Sequence, residues 1–294
     1  MHELPDEGEL LDLGCGNGAV LCHLLVARPG TPLRGIGVDL APPTAAWMDT
    51  LAPSERARVE CRGGISADAL PFAAGRFVAC ASQFGIEYAQ LERALPEALR
   101  VLRPGAHLGW ALHHSGGRPA RLAREELGHL DWLEQCGWLP AAAHLMSAVE
   151  AEAAQTPARQ PGGTVAAARA RVAQLLDALK DRVAHSVCPD VLADAATWTN
   201  QCFDLARRQG VKAGHAALHQ IETLLSDTRA RLLDLVSHTL DEAAWRAILA
   251  RLQAGGVALG PDTGPLEDRG HLMGWWVHGR LGGAPSAGPP DRAQ

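Results

Sequence analysis

The stretch Leu11-Asp12-Leu13-Gly14-Cys15-Gly16-Asn17-Gly18 constrains this chain most, because an apolar run of strand type enters a glycine-rich turn and leaves as a helical pattern. Glycine accepts left-handed backbone and has no Cβ, so such a turn lets the main chain approach a ligand. The amides exposed at the helix start favour a polar or anionic group. A strand followed by a crossover helix needs parallel neighbours, and the first third of the chain supplies them. Strands are expected at 9–13, 33–39, 57–61, 77–82 and 107–113. Helices are expected from near Gly18, after Pro43, and over 91–102, the last stopped by Pro104-Gly105.

After Ser115-Gly116-Gly117 the strand signals vanish and an alanine- and leucine-rich stretch follows. Val165, Ala168, Val172, Leu175, Leu179 and Val183 repeat at helical spacing, as do Leu218, Ile221, Leu225, Leu232 and Leu235, predicting two long amphipathic helices. Breaks are expected at Gln155-Thr156-Pro157 with Pro161-Gly162-Gly163, at Cys188-Pro189-Asp190 and at Gln209-Gly210. Thr239-Leu240-Asp241-Glu242 has the form of a capping box, starting a helix that ends at Gly255-Gly256. Strand signals return at 256–260 and 271–280, separated by a turn rich in proline, glycine and aspartate, so an antiparallel pair is expected. The expected organisation is an α/β domain of residues 1–117 and 238–281, a helical insertion of 118–237, and a disordered tail of 282–294 rich in glycine, proline and alanine.

A net charge of -6 without a basic stripe leaves no footprint for nucleic acid or an anionic membrane, which favours a small-molecule or protein partner. The seven cysteines form no CxxC pair and leave one over, as expected of reduced thiols in cytosol. No charged segment leads into an apolar run at the amino end, and no apolar run reaches membrane-spanning length, so a soluble cytoplasmic protein is expected.

Taken alone, the glycine turn is ambiguous. Gly14, Gly16 and Ala19 also satisfy the looser dinucleotide fingerprint, and Asp39 stands about where that fingerprint puts its ribose-binding acid. Asp12, two residues before the first glycine, offers an acceptor for a cationic amino group. Asp39 offers a carboxylate to a ribose diol with Leu40 to cover adenine, and Asp68-Ala69-Leu70-Pro71-Phe72 offers a carboxylate and an amide for the adenine edge.

With the 77–82 strand and Leu95-Pro96-Glu97-Ala98-Leu99-Arg100-Val101-Leu102-Arg103-Pro104-Gly105, these motifs in their order resemble the class I S-adenosylmethionine-dependent methyltransferases. The resemblance covers residues 8–115 and the closing strands. It implies a Rossmann-like, doubly wound, mostly parallel seven-stranded sheet with an antiparallel last strand, carrying the helical insertion between its fifth and sixth strands. It further implies S-adenosylmethionine as cofactor. Gly14, Cys15, Gly16 and Gly18 would approach its methionine part, with Asp12 at the amino group and Asp39 and Leu40 at ribose and adenine. Asp68 and Ala69 would read the adenine edge, and the turn opening at Ser82 would face the sulfonium methyl.

Methyl transfer is an in-line displacement, so the protein mainly orients donor and acceptor and excludes water; a base is needed only for a protonated acceptor. Base candidates are His113, His114, Glu87 and Tyr88, of which strand alternation lets only one of the two histidines face a cleft. His215, His219 and Glu222 share a helical face, but no metal is expected there, and the eight tryptophans are expected to pack. The insertion is expected to serve as a substrate lid or as a homodimer surface. The chain starts barely one turn before its first strand, without a helix to cover the cofactor, which favours the lid. The function expected is methyl transfer to a small organic molecule. A catalytically silent scaffold of the same fold and a nicotinamide oxidoreductase are the alternatives.

Overall fold

The computed structural model describes residues 4–154 and 163–282. The break expected at Gln155-Thr156-Pro157 and Pro161-Gly162, and the tail from 283, lie outside the described residues. The chain forms two compact units, Met1–Arg118 with His238–Gln294, and Pro119–Ser237.

The first unit opens with β1 (Glu9–Leu13), α1 (Ala19–Ala27) and β2 (Arg34–Val38). The helix expected after Pro43 is instead a 3-10 turn (Ala46–Thr50) and a single turn, α2 (Pro53–Arg56). Pro53 is the cause, since the residue before a proline avoids helical backbone, and Ala52 sits extended at φ -60°, ψ 148°. β3 (Val59–Arg62), β4 (Phe77–Gln83), a 3-10 turn (Ile86–Tyr88), α3 (Leu91–Val101) and β5 (Leu102–His113) follow. Pro104-Gly105 ends no helix but sits in a bulge of β5, where the pairing jumps from Phe77 with Leu102 to Ala79 with His107. Gly105 takes φ 80° there, as a bulge allows.

The second unit is α4 (Arg118–Gln135), α5 (Trp138–Ala153), α6 (Gly163–Ala184), α7 (Asp190–Gln209) and α8 (Val211–Ser237). Its core joins Leu130, Leu133 and Trp138 to Leu175, Leu179, Leu192 and Ala195. The Trp138 indole donates to Thr199 Oγ1 at 2.9 Å. Gly214 lets α8 lie close to α7, for a Cβ there would come within 2.6 Å of Ala206 Cβ.

The chain re-enters the first unit through α9 (Glu242–Ala254), β6 (Val257–Leu259), β7 (Gly264–Asp268) and β8 (His271–Leu281). The cap of α9 is Asp241, whose side chain accepts from the Ala244 amide, and not Thr239 as the capping-box pattern implied. The sheet order is β3-β2-β1-β4-β5-β8-β6. Neighbours from β3 through β5 are parallel, and β8 is antiparallel to β5, β6 and β7. β6 and β7 share one edge of β8, so seven positions across the sheet hold eight strands. The split falls at Gly260-Pro261-Asp262-Thr263, where proline offers no ladder donor. The chain leaves and re-enters at adjacent points, with Ser115 N donating to Leu240 O at 2.9 Å and Leu240 N to His113 O at 2.8 Å. No helix of the described residues is long and apolar enough to cross a membrane.

Candidate active site

β1 is a central parallel strand, buried on both faces, so Leu11, Asp12 and Leu13 are all sealed. It delivers the chain into a turn where Gly14, Gly16 and Gly18 take φ 65°, 49° and 79°. Gly18 N donates to Cys15 O at 2.8 Å, and Cys15 N is tied to Val38 O at the end of β2 at 3.0 Å. Gly14 is bare for a steric reason, since a Cβ there would lie 2.6 Å from Gly85 Cα in the turn after β4. A Cβ on Gly16 would meet nothing within 4 Å.

Asp39, just past β2, accepts from Gly16 N at 2.8 Å and from Ala41 N at 2.9 Å, one on each carboxylate oxygen. Leu40 beside it is 73% exposed, an apolar surface left open by the described residues. Asp12 is the opposite case. Both its oxygens are buried without a hydrogen-bond partner, and burial, with Cys61 and Asp39 nearby, pushes its pKa up to about 8. Asp68 is half-buried with Oδ1 sealed and unpartnered. The Ala69 amide, expected to read a ligand, donates to Ser66 O at 3.2 Å. This segment is clamped by α3: Glu97 Oε2 accepts from Leu70 N at 2.9 Å, and Arg100 donates to Phe72 O at 2.8 Å and Leu70 O at 3.1 Å. The clamp gives the Glu97 and Arg100 of the sequence motif their physical role.

The turn after β4 joins this loop to a second cluster. Ser82 is buried, with its hydroxyl donating to Leu13 O at 2.8 Å and accepting from Ile86 N at 2.9 Å. It thereby pins the end of β4 to that of β1. Glu87 is 2% exposed, and its Oε1 accepts from His113 N at 3.0 Å and lies 2.9 Å from His113 Nδ1. Since a carboxylate oxygen accepts, the ring proton belongs on Nδ1, which leaves the lone pair on Nε2. Glu87 Oε2 is buried without a partner. Phe84 packs on His113 at 4.4 Å between ring centroids, and Tyr88 meets it edge-on at 6.2 Å.

His114 does not join this cluster. It stacks on Trp275 at 4.3 Å, accepts from Gly116 N at 2.7 Å, and has its pKa lowered by burial. In the helical unit, His215 turns to Ser147 and His219 to Glu222, so the helical-face trio does not converge. Trp245 and Trp275 stack at 5.1 Å as core.

Three residues without a sequence signal belong to the site. Phe84 holds φ 56°, rare for a residue with a side chain and a mark of strain beside function. Trp47 donates to Asn17 O at 2.6 Å and covers Gly18. His238, reached only by folding, packs on Tyr88 at 4.9 Å. A nucleoside with a cationic amino acid moiety fits these residues: a bare-backboned turn, an orphaned buried acid beneath it, a carboxylate at the second strand's end and an uncovered leucine.

Residues 11–109 match a family model described as a methyltransferase domain. No curated protein matches the sequence. Among solved structures, the chain is similar to the YcgJ protein of Bacillus subtilis, at 21% identity and TM-score 0.34, over 44% of this chain and 54% of that one. It is also similar to an S-adenosylmethionine-dependent methyltransferase of Mesorhizobium loti, at 23% identity and TM-score 0.32, over 39% and 51%. Geranyl diphosphate C-methyltransferase of Streptomyces coelicolor A3(2) is matched at 22% identity and TM-score 0.32, over 38% and 40%. The chain spans about half the length of these solved structures.

Proposed function

We propose that this chain, whose residues 11–109 match a methyltransferase-domain family model, is a class I S-adenosylmethionine-dependent enzyme that methylates a small organic acceptor that must give up a proton. The observation that carries the reading is the buried Glu87–His113 pair, one turn away from the glycine loop. When bound, S-adenosylmethionine supplies a methyl group on cationic sulfur, open to in-line displacement.

The backbone of Gly14, Cys15, Gly16 and Gly18 would line the methionine part, with Asp12 beneath it as a negative charge that the cation itself would call out. Asp39, already oriented by two amides, has lone pairs left for a ribose diol. Leu40 would cover adenine, and Asp68 with the Ala69 backbone would border its edge. His113 Nε2 would take the acceptor's proton, and Glu87 would hold the ring in the required tautomer and stabilise the resulting imidazolium. Phe84 and Tyr88 would wall the acceptor. The helical unit, inserted after the carboxyl end of β5, where α/β sheets bind ligands, would act as the lid in preference to a homodimer surface.

The test is methyl transfer to a panel of phenols, carboxylic acids, amines and thiols, with peptide and RNA acceptors as counter-cases. His113→Gln should lower turnover about 100-fold on the preferred small acceptor, the lower end of what a positioned base contributes, and leave cofactor affinity within about twofold. Full turnover in that variant, or transfer to peptide or RNA alone, would overturn the reading.

A further inference from the structure

Cys15 lies between the first two glycines of the loop, and its side chain points down onto the sheet. A Cβ added to Gly37 would come within 2.7 Å of Cys15 Cβ and 2.8 Å of its Sγ, so the bare Gly37 makes the room this thiol occupies. On the neighbouring strand, Cys61 is the register partner of Gly37. Its Sγ would lie 3.1 Å from a Cβ on Gly18, at the far side of the same loop. Two thiols 46 residues apart in sequence are thereby brought to the same small space under the loop. The neighbouring thiol, more than burial, raises the pKa of Cys15 and lowers that of Cys61. Cys61 is half-buried and Cys15 is sealed, so Cys61 is the sulfur that a small oxidant meets first.

We propose that Cys15 and Cys61 are a reversible modification site, closing to a disulfide when a peroxide reaches them. In the first step the Cys61 thiolate attacks the peroxide O–O bond and becomes a sulfenic acid, while the departing hydroxide takes up a proton as water. In the second, the Cys15 thiol gives its proton to the sulfenic hydroxyl, which leaves as water as the S–S bond forms. Overall, two thiols and one hydrogen peroxide give one disulfide and two waters, and a dithiol reductant reverses the change. A covalent bond draws two sulfurs closer than packing contact does. Cys61 is fixed in β3, so the loop, with three left-handed glycines, must yield. The closed state pulls Cys15 toward the sheet and disturbs the Gly16 amide bond to Asp39.

The disulfide stands on the thiol geometry alone, and its effect on the cofactor rests on the function proposed above. The full chain is treated with hydrogen peroxide, its remaining thiols are alkylated under denaturing conditions, and the digest is searched by mass spectrometry for a peptide linking Cys15 to Cys61. The linked peptide should form, vanish with dithiothreitol and be absent from Cys61→Ser. Alkylation of both residues after peroxide, or linkage to a different cysteine, would overturn the site. Calorimetry should show S-adenosylmethionine affinity falling at least tenfold in the oxidised chain, recovering on reduction, and insensitive to peroxide in Cys61→Ser. Linkage with unchanged affinity would overturn the coupling to the cofactor. A reduced wild-type chain that binds no S-adenosylmethionine would count against the proposed function while leaving the linked peptide as evidence for the modification.

Discussion

With both oxygens sealed beneath the glycine turn, Asp12 holds its proton until its pKa of about 8, whereas in the unfolded chain it loses it near pH 4, about the ordinary aspartate value. Between those values the folded state binds more protons than the unfolded one, so this residue makes stability fall as pH rises and stop falling above about pH 8. Asp12→Asn should flatten that slope. Urea unfolding between pH 5 and 8 is expected to show the variant gaining on wild type toward pH 8, and equal slopes would mean that another group sets the dependence. Asp39 is a simpler case, because its carboxylate both braces the Gly16 amide and offers lone pairs to a ligand. Asp39→Ala should weaken S-adenosylmethionine binding by about 1.5 to 3 kcal/mol, roughly ten- to 150-fold in Kd. Calorimetry showing unchanged affinity would remove Asp39 from the cofactor site.

At the scale of elements, the glycine loop works because its glycines are bare for different reasons. Gly14 faces the backbone of Gly85, while Gly16 faces open space. Gly14→Ala should therefore destabilise the fold by more than about 2 kcal/mol, combining left-handed strain with a clash that no side chain can relieve. Gly16→Ala should cost only the strain, about 1 to 2 kcal/mol. Denaturant midpoints would show this order, and equal losses would mean that the loop shifts to relieve the Gly85 contact. The strand–turn–helix pattern was legible here because glycine spacing and apolar runs are local signals. The contact between Gly14 and Gly85 was not, since nothing within reach of either along the chain announces the other. The same holds for Ser82: its place at a strand's end was evident, but only the packed ends of β1 and β4 show its hydroxyl used twice within the protein.

For the whole molecule, the adjacent exit and re-entry points predict that the helical unit can be removed. Replacing 119–237 with a short glycine-serine linker should leave a first unit that unfolds cooperatively, since the Ser115 and Leu240 bonds already bring the cut ends together. Under the lid reading, the excised chain should bind S-adenosylmethionine with near-normal affinity and lose most of its turnover. If the insertion instead makes a dimer, sedimentation should show a lower oligomeric state with turnover kept. An excised chain that is molten would contradict the division into two independently packed units.

The amino-acid sequence by itself determined the strand–helix alternation around the glycine loop and the line of motifs from Asp12 to Gly105, because backbone propensity and hydrophobic period act over a few residues, but it read β7 as part of a turn. It misplaced what depends on one residue's effect on its neighbours, such as Pro53 starting α2 apart from the 3-10 turn before it and the bulge in β5 absorbing Pro104-Gly105. Tertiary structure alone decided which of the paired histidines meets Glu87, which acid lies sealed and which is held by amides, and which two cysteines become neighbours. Those outcomes follow from strand register and burial, which sum contacts between residues far apart in the chain.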